Sequence, residues 1–228
     1  MKKLKVLGLI VARKNSKGLK NKHLLKLGKK KCIEWTFLAA KKSKLIDHCL
    51  LSTDSKEIIK ISKKYKIHAP FVRPSKYSKD NSSIYEVIKH SREWLEKNKY
   101  KFDIIVLLQG TSPFRNNTHI DSAIKLFKKN IKNCKTLISV NEINKKKFWI
   151  LKRNNKYVKF AFNQKNSLLR RQNNKRVYLP NGALYISKYQ NISNFYTNKT
   201  MFYEMNKKSS LDLDTLEDFK IAKNFFKN

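Results

Sequence analysis

The chain has 228 residues, 40% of them hydrophobic, and sets 53 lysines and arginines against 16 acidic residues for a formal charge of +37. That length suits one domain with a substantial core, and no apolar run approaches the roughly 18 residues a membrane span requires. The charge alone suggests a nucleic-acid partner, but the lysines are spread through nearly every segment and only eight residues are arginine, the side chain that base and bidentate phosphate recognition favours, so nucleic acid is not the expected partner.

Met1 to Ile10 places lysines before a short apolar run, as a signal peptide does. Arg13 and Lys14 follow Val6 to Ala12 directly, however, with no small-residue cleavage site at a suitable distance, so Lys5 to Ala12 is predicted as the first strand. After a polar loop, Cys32 to Lys42 spaces Ile33, Phe37 and Ala40 as a helix does. His48 to Ser52 is predicted as a second strand, Lys56 to Lys64 as a second helix and Ile67 to Val72 as a third strand. Tyr85 to Glu96 presents Val87, Ile88, Trp94 and Leu95 on a helix, and Phe102 to Leu108 is a continuous apolar strand of the buried kind. Thr118 can cap the next helix, with Ile120, Ala123, Ile124 and Phe127 on one face, and Thr136 to Val140 is a further strand. Asn141 to Leu179 is rich in lysine and asparagine without a helical period, which predicts irregular strands and an arm suited to subunit contact. A strand at Gly182 to Ile186 and a helix at Asp214 to Phe226, opened by Asp214 with Glu217 in a capping box, close the chain. The alternation predicts one α/β domain over residues 1–228, its mainly parallel sheet flanked by helices, with residues 141–180 as an excursion.

Cys32, Cys49 and Cys134 stand far apart with no C-x-x-C pairing, which argues against a disulfide framework or a zinc site and predicts reduced thiols in the cytoplasm. His48, His68, His90 and His119 have no metal-ligand spacing, and Trp35, Trp94, Phe37 and Phe127 fit a core.

In an open α/β sheet, ligands bind beyond the carboxyl ends of the strands. Directly after the first strand, Ala12 to His23 supplies Arg13, Lys14, Asn15, Ser16, Lys17, Gly18, Lys20 and Lys22, which are cations, a hydroxyl, an amide and a flexible glycine. Such a loop can stabilise charge on a transferring phosphoryl group. Its spacing is neither a Walker A loop nor a dinucleotide fingerprint, and a solvated basic turn is the competing reading. Asp212 and Asp214 are one residue apart, so in an extended segment both carboxylates point the same way. Magnesium takes one or two carboxylates plus substrate phosphates and fits that arrangement; the competing reading makes Asp214 a helix cap.

The order of residues in the basic loop, A-R-x-N-S-K-G-L-x-x-K, resembles the N-terminal signature of the CMP-sialic acid synthetases (acylneuraminate cytidylyltransferases), a family that includes legionaminate and pseudaminate cytidylyltransferases. The resemblance continues through Leu51-Ser52-Thr53-Asp54, Arg73-Pro74 with Asp80-Asn81-Ser82-Ser83, Leu107 to Arg115 (L-L-Q-G-T-S-P-F-R), Pro180 to Ile186 (P-N-G-A-L-Y-I) and Leu211 to Thr215 (L-D-L-D-T). It implies a Rossmann-like mononucleotide-binding fold, a homodimer, and transfer of CMP from CTP to an acidic nine-carbon sugar with magnesium as cofactor. It implies that CTP is held by Arg13, Asn15, Ser16, Lys17, Lys22, His23, Arg73, Asn81, Ser82 and Ser83. The sugar would meet Gln109, Thr111, Ser112, Arg171, Asn181 and Gly182; Arg170 and Arg176 are neighbours able to replace Arg171. The metal would fall to Asp212 and Asp214, with Arg13, Lys22 and Asp214 as the catalytic group.

Three positions depart from the family pattern: His23 stands where asparagine is common, Gly110 replaces the proline of Q-P-T-S-P, and Leu179 stands before P-N-G where sialic acid enzymes often carry arginine. Leu179 removes a cation from the sugar side and favours a relative such as legionaminate or pseudaminate. An eight-carbon 3-deoxy sugar acid or a nucleotide other than CTP is the alternative within nucleotidyl transfer. A basic nucleic-acid-binding protein that kept the fold is the alternative outside it.

Overall fold

The structure is a computed structural model that describes residues 3–15, 18–143, 151–154, 157–160, 176–190 and 192–226. β1 (Val6–Ala12) is an apolar run buried along nearly its whole length, the pattern of a strand covered on both faces. A turn of 3-10 helix (Lys22–Leu24) follows, then a small hairpin of β2 (Lys26–Leu27) and β3 (Lys30–Lys31) whose turn uses Gly28 at φ 60°. Next come α1 (Cys32–Lys42), β4 (His48–Thr53), α2 (Lys56–Lys64), α3 (Ile84–Lys97), β5 (Ile104–Gln109), α4 (Asn117–Lys129) and β6 (Thr136–Glu142). A hairpin of β7 (Leu151–Asn154) and β8 (Tyr157–Phe160), the long β9 (Tyr178–Lys188), β10 (Thr200–Glu204) and α5 (Leu216–Phe225) complete the order.

Six strands make one sheet in the order β10-β6-β9-β5-β1-β4. β1 is parallel to β4 and β5, and β10 to β6, whereas β9 runs antiparallel to both β5 and β6. The expected mainly parallel α/β sheet is therefore present, with one reversed strand in its interior. Side chains alternate along β1: Val6, Ile10 and Ala12 pack with Ile33 and Phe37 of α1 and Ile120, Ile124 and Phe127 of α4, while Leu7 and Leu9 pack with Ile88 and Leu95 of α3 on the opposite face. Full burial of each such side chain is worth about 1.5–3 kcal/mol.

Several elements differ from the sequence expectation. Ile67 to Val72 forms no strand; a single bridge joins His68 to Leu50, and Pro70, which has no N–H to donate, prevents its extension. α4 is capped by Asn116, whose side chain accepts from the His119 N–H, rather than by Thr118. α5 is capped by Thr215 with Asp218 in the capping box, not by Asp214 with Glu217. Both patterns are present in the sequence one residue apart, and the Asp214 carboxylate is engaged elsewhere. β9 begins at Tyr178, ahead of the expected Gly182, because Pro180 is accommodated opposite Val140 where a bulge shifts the register between Ile138 and Val140. The β7–β8 hairpin falls in the stretch expected to hold irregular strands, whereas the β2–β3 hairpin and β10 had no counterpart in the sequence reading.

Candidate active site

β1 leads through α1 to β4 on one side of the sheet, while β5 lies on its other side, so the carboxyl ends of β1 and β5 mark a topological switch point. A cleft of about 340 Å³ opens there. Arg13, Lys22, His23, Arg73, Gln109 and Thr111 line it, as do Ser82, Lys79 and Asp80 from the segment before α3.

Three of the cations in this cleft, Arg13, Lys22 and Arg73, stand against carboxylates. Arg13 Nη1 lies 2.6 Å from Asp80 Oδ1, and Lys22 Nζ lies 2.6 Å from Asp214 Oδ1 across 192 residues of sequence. Arg73, only 5% exposed, donates from Nε to Ser78 Oγ at 3.0 Å and from Nη2 to the Ala12 carbonyl at 3.3 Å. Asp54 Oδ1 stands 3.7 Å from Arg73 Nη2 and accepts the Lys14 N–H at 2.7 Å. Burial pushes the Arg73 guanidinium below its ordinary pKa, and Asp54 opposes that shift.

The basic loop is fitted to the carboxylate segment by Gly18. A Cβ at that position would stand 2.4 Å from the Asp214 carbonyl oxygen, so only glycine fits without backbone movement. His23 is buried against Gly110: a Cβ there would lie 3.0 Å from His23 Nδ1 and 2.6 Å from Ile33 Cδ1. Burial first, and then the Lys22 charge, push the His23 pKa down to about 3, so its ring is neutral at physiological pH.

Asp212 is half-buried, whereas Asp214 is exposed. Burial raises its pKa and Asp214 adds to the rise, while the nearby Thr111 hydroxyl and the Lys22 charge favour the ionised form. The Thr111 hydroxyl and Asp212 Oδ1 are both buried with no hydrogen-bond partner. Gly182, at φ 73°, clears space for this group: its missing Cβ would stand 3.5 Å from Asp212 Oδ2. Among the described residues no cluster of three or more His, Cys, Asp or Glu side chains gathers as a complete metal cage. A partnerless carboxylate oxygen beside a second carboxylate is nevertheless the donor set that magnesium uses together with phosphate oxygens.

The other expected site residues divide. Gln109 and Thr111 line the cleft, whereas the Ser112 hydroxyl is buried with no partner and does not face it. Ser82 lines the cleft, but Ser83 caps α3, and Asn81 and Asn15 are exposed away from the lining. Asn181 is committed to a buried network: its Oδ1 accepts from Ser139 Oγ at 2.5 Å and from the Ala183 N–H at 3.1 Å, and its Nδ2 donates to Ser210 Oγ at 2.8 Å. Ser16, Lys17, Arg170 and Arg171 lie outside the described residues.

An aromatic wall was not anticipated. Tyr185 packs on Phe195 at 5.1 Å between ring centroids, Tyr85 on Phe195 at 5.8 Å, and Tyr196 stands at the edge of Tyr185. Tyr185 and Arg115 both belong to motif blocks named above, and that position was the signal available for them; Phe195, Tyr196 and Tyr85 carried none.

The sequence profile that describes cytidylyltransferases matches residues 7–227. The chain is 33% identical over 222 residues to an N-acylneuraminate cytidylyltransferase of Escherichia coli O18:K1:H7, covering 96% of this chain and 51% of that protein. It is 29% identical to a CMP-N,N'-diacetyllegionaminic acid synthase of Legionella pneumophila, covering 96% of this chain and 95% of the relative. The chain thus spans about half the length of the first of these relatives and nearly all of the second. A CMP:2-keto-3-deoxy-manno-octonic acid synthetase solved with CTP superposes with a TM-score of 0.71 at 14% identity, covering 98% of both chains, a likeness of fold. With the profile spanning almost the whole chain and the nucleotide-type α/β sheet in place, the protein belongs to the cytidylyltransferase family.

Proposed function

We propose that the protein transfers CMP from CTP to a nonulosonic acid, releasing diphosphate. The observation that carries this reading is the contact of Lys22, which lines the cleft, with the exposed Asp214, two residues beyond the half-buried Asp212. A nucleotidyl transfer needs cations already in position for a phosphate oxyanion and an acidic group near the attacking hydroxyl, and Lys22 beside Asp214 supports that reading.

In this reading Arg13 and Lys22 exchange their carboxylate partners for the triphosphate. Arg73 and Ser82 border the base, and Gln109, Thr111 and the aromatic wall border the sugar. The anomeric hydroxyl oxygen forms a bond to the α-phosphorus as the bond from that phosphorus to the bridging oxygen breaks in line, diphosphate carries away the electron pair, and the hydroxyl proton is released to solvent. Asp214, the more exposed carboxylate, orients the hydroxyl. Asp212 and Asp214 would hold magnesium, which when bound neutralises charge on the phosphates. Leu179 is half exposed where a sialic-acid enzyme often has arginine, and together with the similarity to near-full-length legionaminic and pseudaminic relatives this favours a legionaminate- or pseudaminate-type sugar. A homodimer working in the cytoplasm completes the proposal. No helix among the described residues is long and apolar enough to cross a membrane.

The nucleotide part is tested by thermal melting with each of the four triphosphates and magnesium. CTP is expected to raise the melting temperature well above the effect of ATP, GTP or UTP. Equal shifts with all four would mean that the cleft does not read the base.

A further inference from the structure

Tyr85 stands in the first turn of α3 and lines the cleft. Its N–H is held by the hydroxyl of Ser83, the cap of that helix, at 3.2 Å, and Ser82, just ahead of the cap, lines the same cleft. The place of Tyr85 is thus fixed by the segment that borders the nucleotide base in the reading above. Its hydroxyl is committed to a different part of the chain. Tyr85 Oη accepts the Phe195 N–H at 2.9 Å and donates to Asn194 Oδ1, 109 residues away in sequence, at 3.4 Å. Asn194 Oδ1 also accepts the Tyr196 N–H at 2.8 Å. From the other side, the Phe195 carbonyl accepts from the Thr136 hydroxyl at 2.8 Å and from the Thr200 hydroxyl at 3.1 Å, at the starts of β6 and β10. The sheet therefore pins the carbonyl side of this turn, and Tyr85 pins its amide side. Phe195 is only 2% exposed, so its N–H needs a protein partner, and a side chain from α3 supplies it.

The turn carries two rings of the aromatic wall. Phe195 packs between Tyr85 and Tyr185, with ring centroids 5.8 Å and 5.1 Å away, and Tyr196 meets the edge of Tyr185. Dispersion contacts lose a quarter to a half of their strength over a gap of about 0.5–1 Å, so a small displacement of the turn loosens the whole wall. We infer that Tyr85 is a positioning residue for the sugar: its hydroxyl holds the turn of Asn194, Phe195 and Tyr196 from the nucleotide side of the cleft, and it acts on the sugar through Phe195 and Tyr196. This rests on the reading of the aromatic wall as the border of the sugar.

Tyr85→Phe keeps the ring and removes the hydroxyl, and two measurements on it test the role. In the protein without substrates, amide exchange followed by nuclear magnetic resonance should quicken at Phe195 by about tenfold or more, with the amides of β1 unchanged. In turnover with saturating CTP and magnesium, the sugar used is whichever of N-acetylneuraminic, N,N'-diacetyllegionaminic and pseudaminic acid the wild type consumes. The sugar KM should rise about five- to tenfold, while kcat and the KM for CTP each move by less than about twofold. Equal quickening at Phe195 and in β1 overturns the inference, because it marks a general loss of stability. Unchanged exchange at Phe195 overturns it as well; with a raised sugar KM, that result would mean that the hydroxyl meets the sugar directly. Faster exchange at an unchanged sugar KM would show that the turn does not govern sugar binding, and only the role of Tyr85 fails. A wild type that consumes none of the three acids with CTP overturns the sugar reading of the wall, and this inference with it.

Discussion

His23 Nδ1 lies 3.0 Å from the point where a Cβ on Gly110 would stand. These are two of the positions at which the chain departs from the pattern of its family, and they fill one space: an imidazole where asparagine is common fits because the facing residue is glycine instead of proline. The departures are therefore coupled. Gly110→Pro alone is expected to destabilise the protein, through the 2.6 Å contact with Ile33 Cδ1 and the lost Gly110 N–H bond to the Val11 carbonyl as well as the imidazole contact, and His23→Asn combined with it to recover only the imidazole's share, a coupling of about 1 kcal/mol. Urea denaturation of the single and double variants measures this, and strictly additive effects would contradict it.

Burial also gives His23 a pH signature. Its folded pKa, near 3, is below the ordinary 6.5, so the unfolded chain takes up a proton that the folded state refuses. The stability this protects is fully present above the unfolded value and is lost as pH falls from about 6.5 toward 3. Between pH 7 and pH 5 the wild type should lose about 2 kcal/mol more than His23→Asn does. Parallel pH profiles for the two proteins would show that the ring titrates freely.

Gly18 makes the sharpest steric claim. A methyl group there meets the backbone oxygen of Asp214 at 2.4 Å, and neither backbone can yield without moving the basic loop away from the carboxylates. Gly18→Ala should lower kcat by about tenfold or more with little change in melting temperature, since misplacement of reacting groups by 1 Å is enough for such losses. A normal kcat would show that the loop is not registered on this segment.

The strand-and-helix alternation of the first half was legible because buried parallel strands are continuous apolar runs, as in β1 and β5, and because Ile33, Phe37 and Ala40 keep helical spacing. The reversed strand β9 was only partly legible, since Pro180 reads locally as a strand breaker and only the bulge opposite it shows how it is tolerated. Lys22 and Asp214 were legible as chemistry; that they touch across 192 residues was not, because sequence spacing carries no information about such a contact. Asn181 shows a further limit of motif reading. Its motif suggested ligand contact, while its carbonyl and amide are both satisfied inside the protein.

That network ties β6 and β9 to Ser210, two residues ahead of Asp212. Asn181→Ala is expected to cost about 1–3 kcal/mol of stability, because it strands buried polar partners, and to lower kcat with an unchanged KM for the sugar. A raised sugar KM at wild-type stability would instead assign Asn181 a direct contact with substrate.

The central claim is cytidylyl transfer to a nonulosonic acid. Its most direct test is diphosphate release from each of the four nucleoside triphosphates, with magnesium, across a panel of sialic, legionaminic and pseudaminic acids and the eight-carbon 3-deoxy acid, with CMP-sugar formation followed by mass spectrometry. Release is expected with CTP and a nine-carbon acid, and it should fall at least about a hundredfold in Lys22→Ala and in Asp214→Asn. Absence of release with every pair, or undiminished release in both variants, would contradict the account.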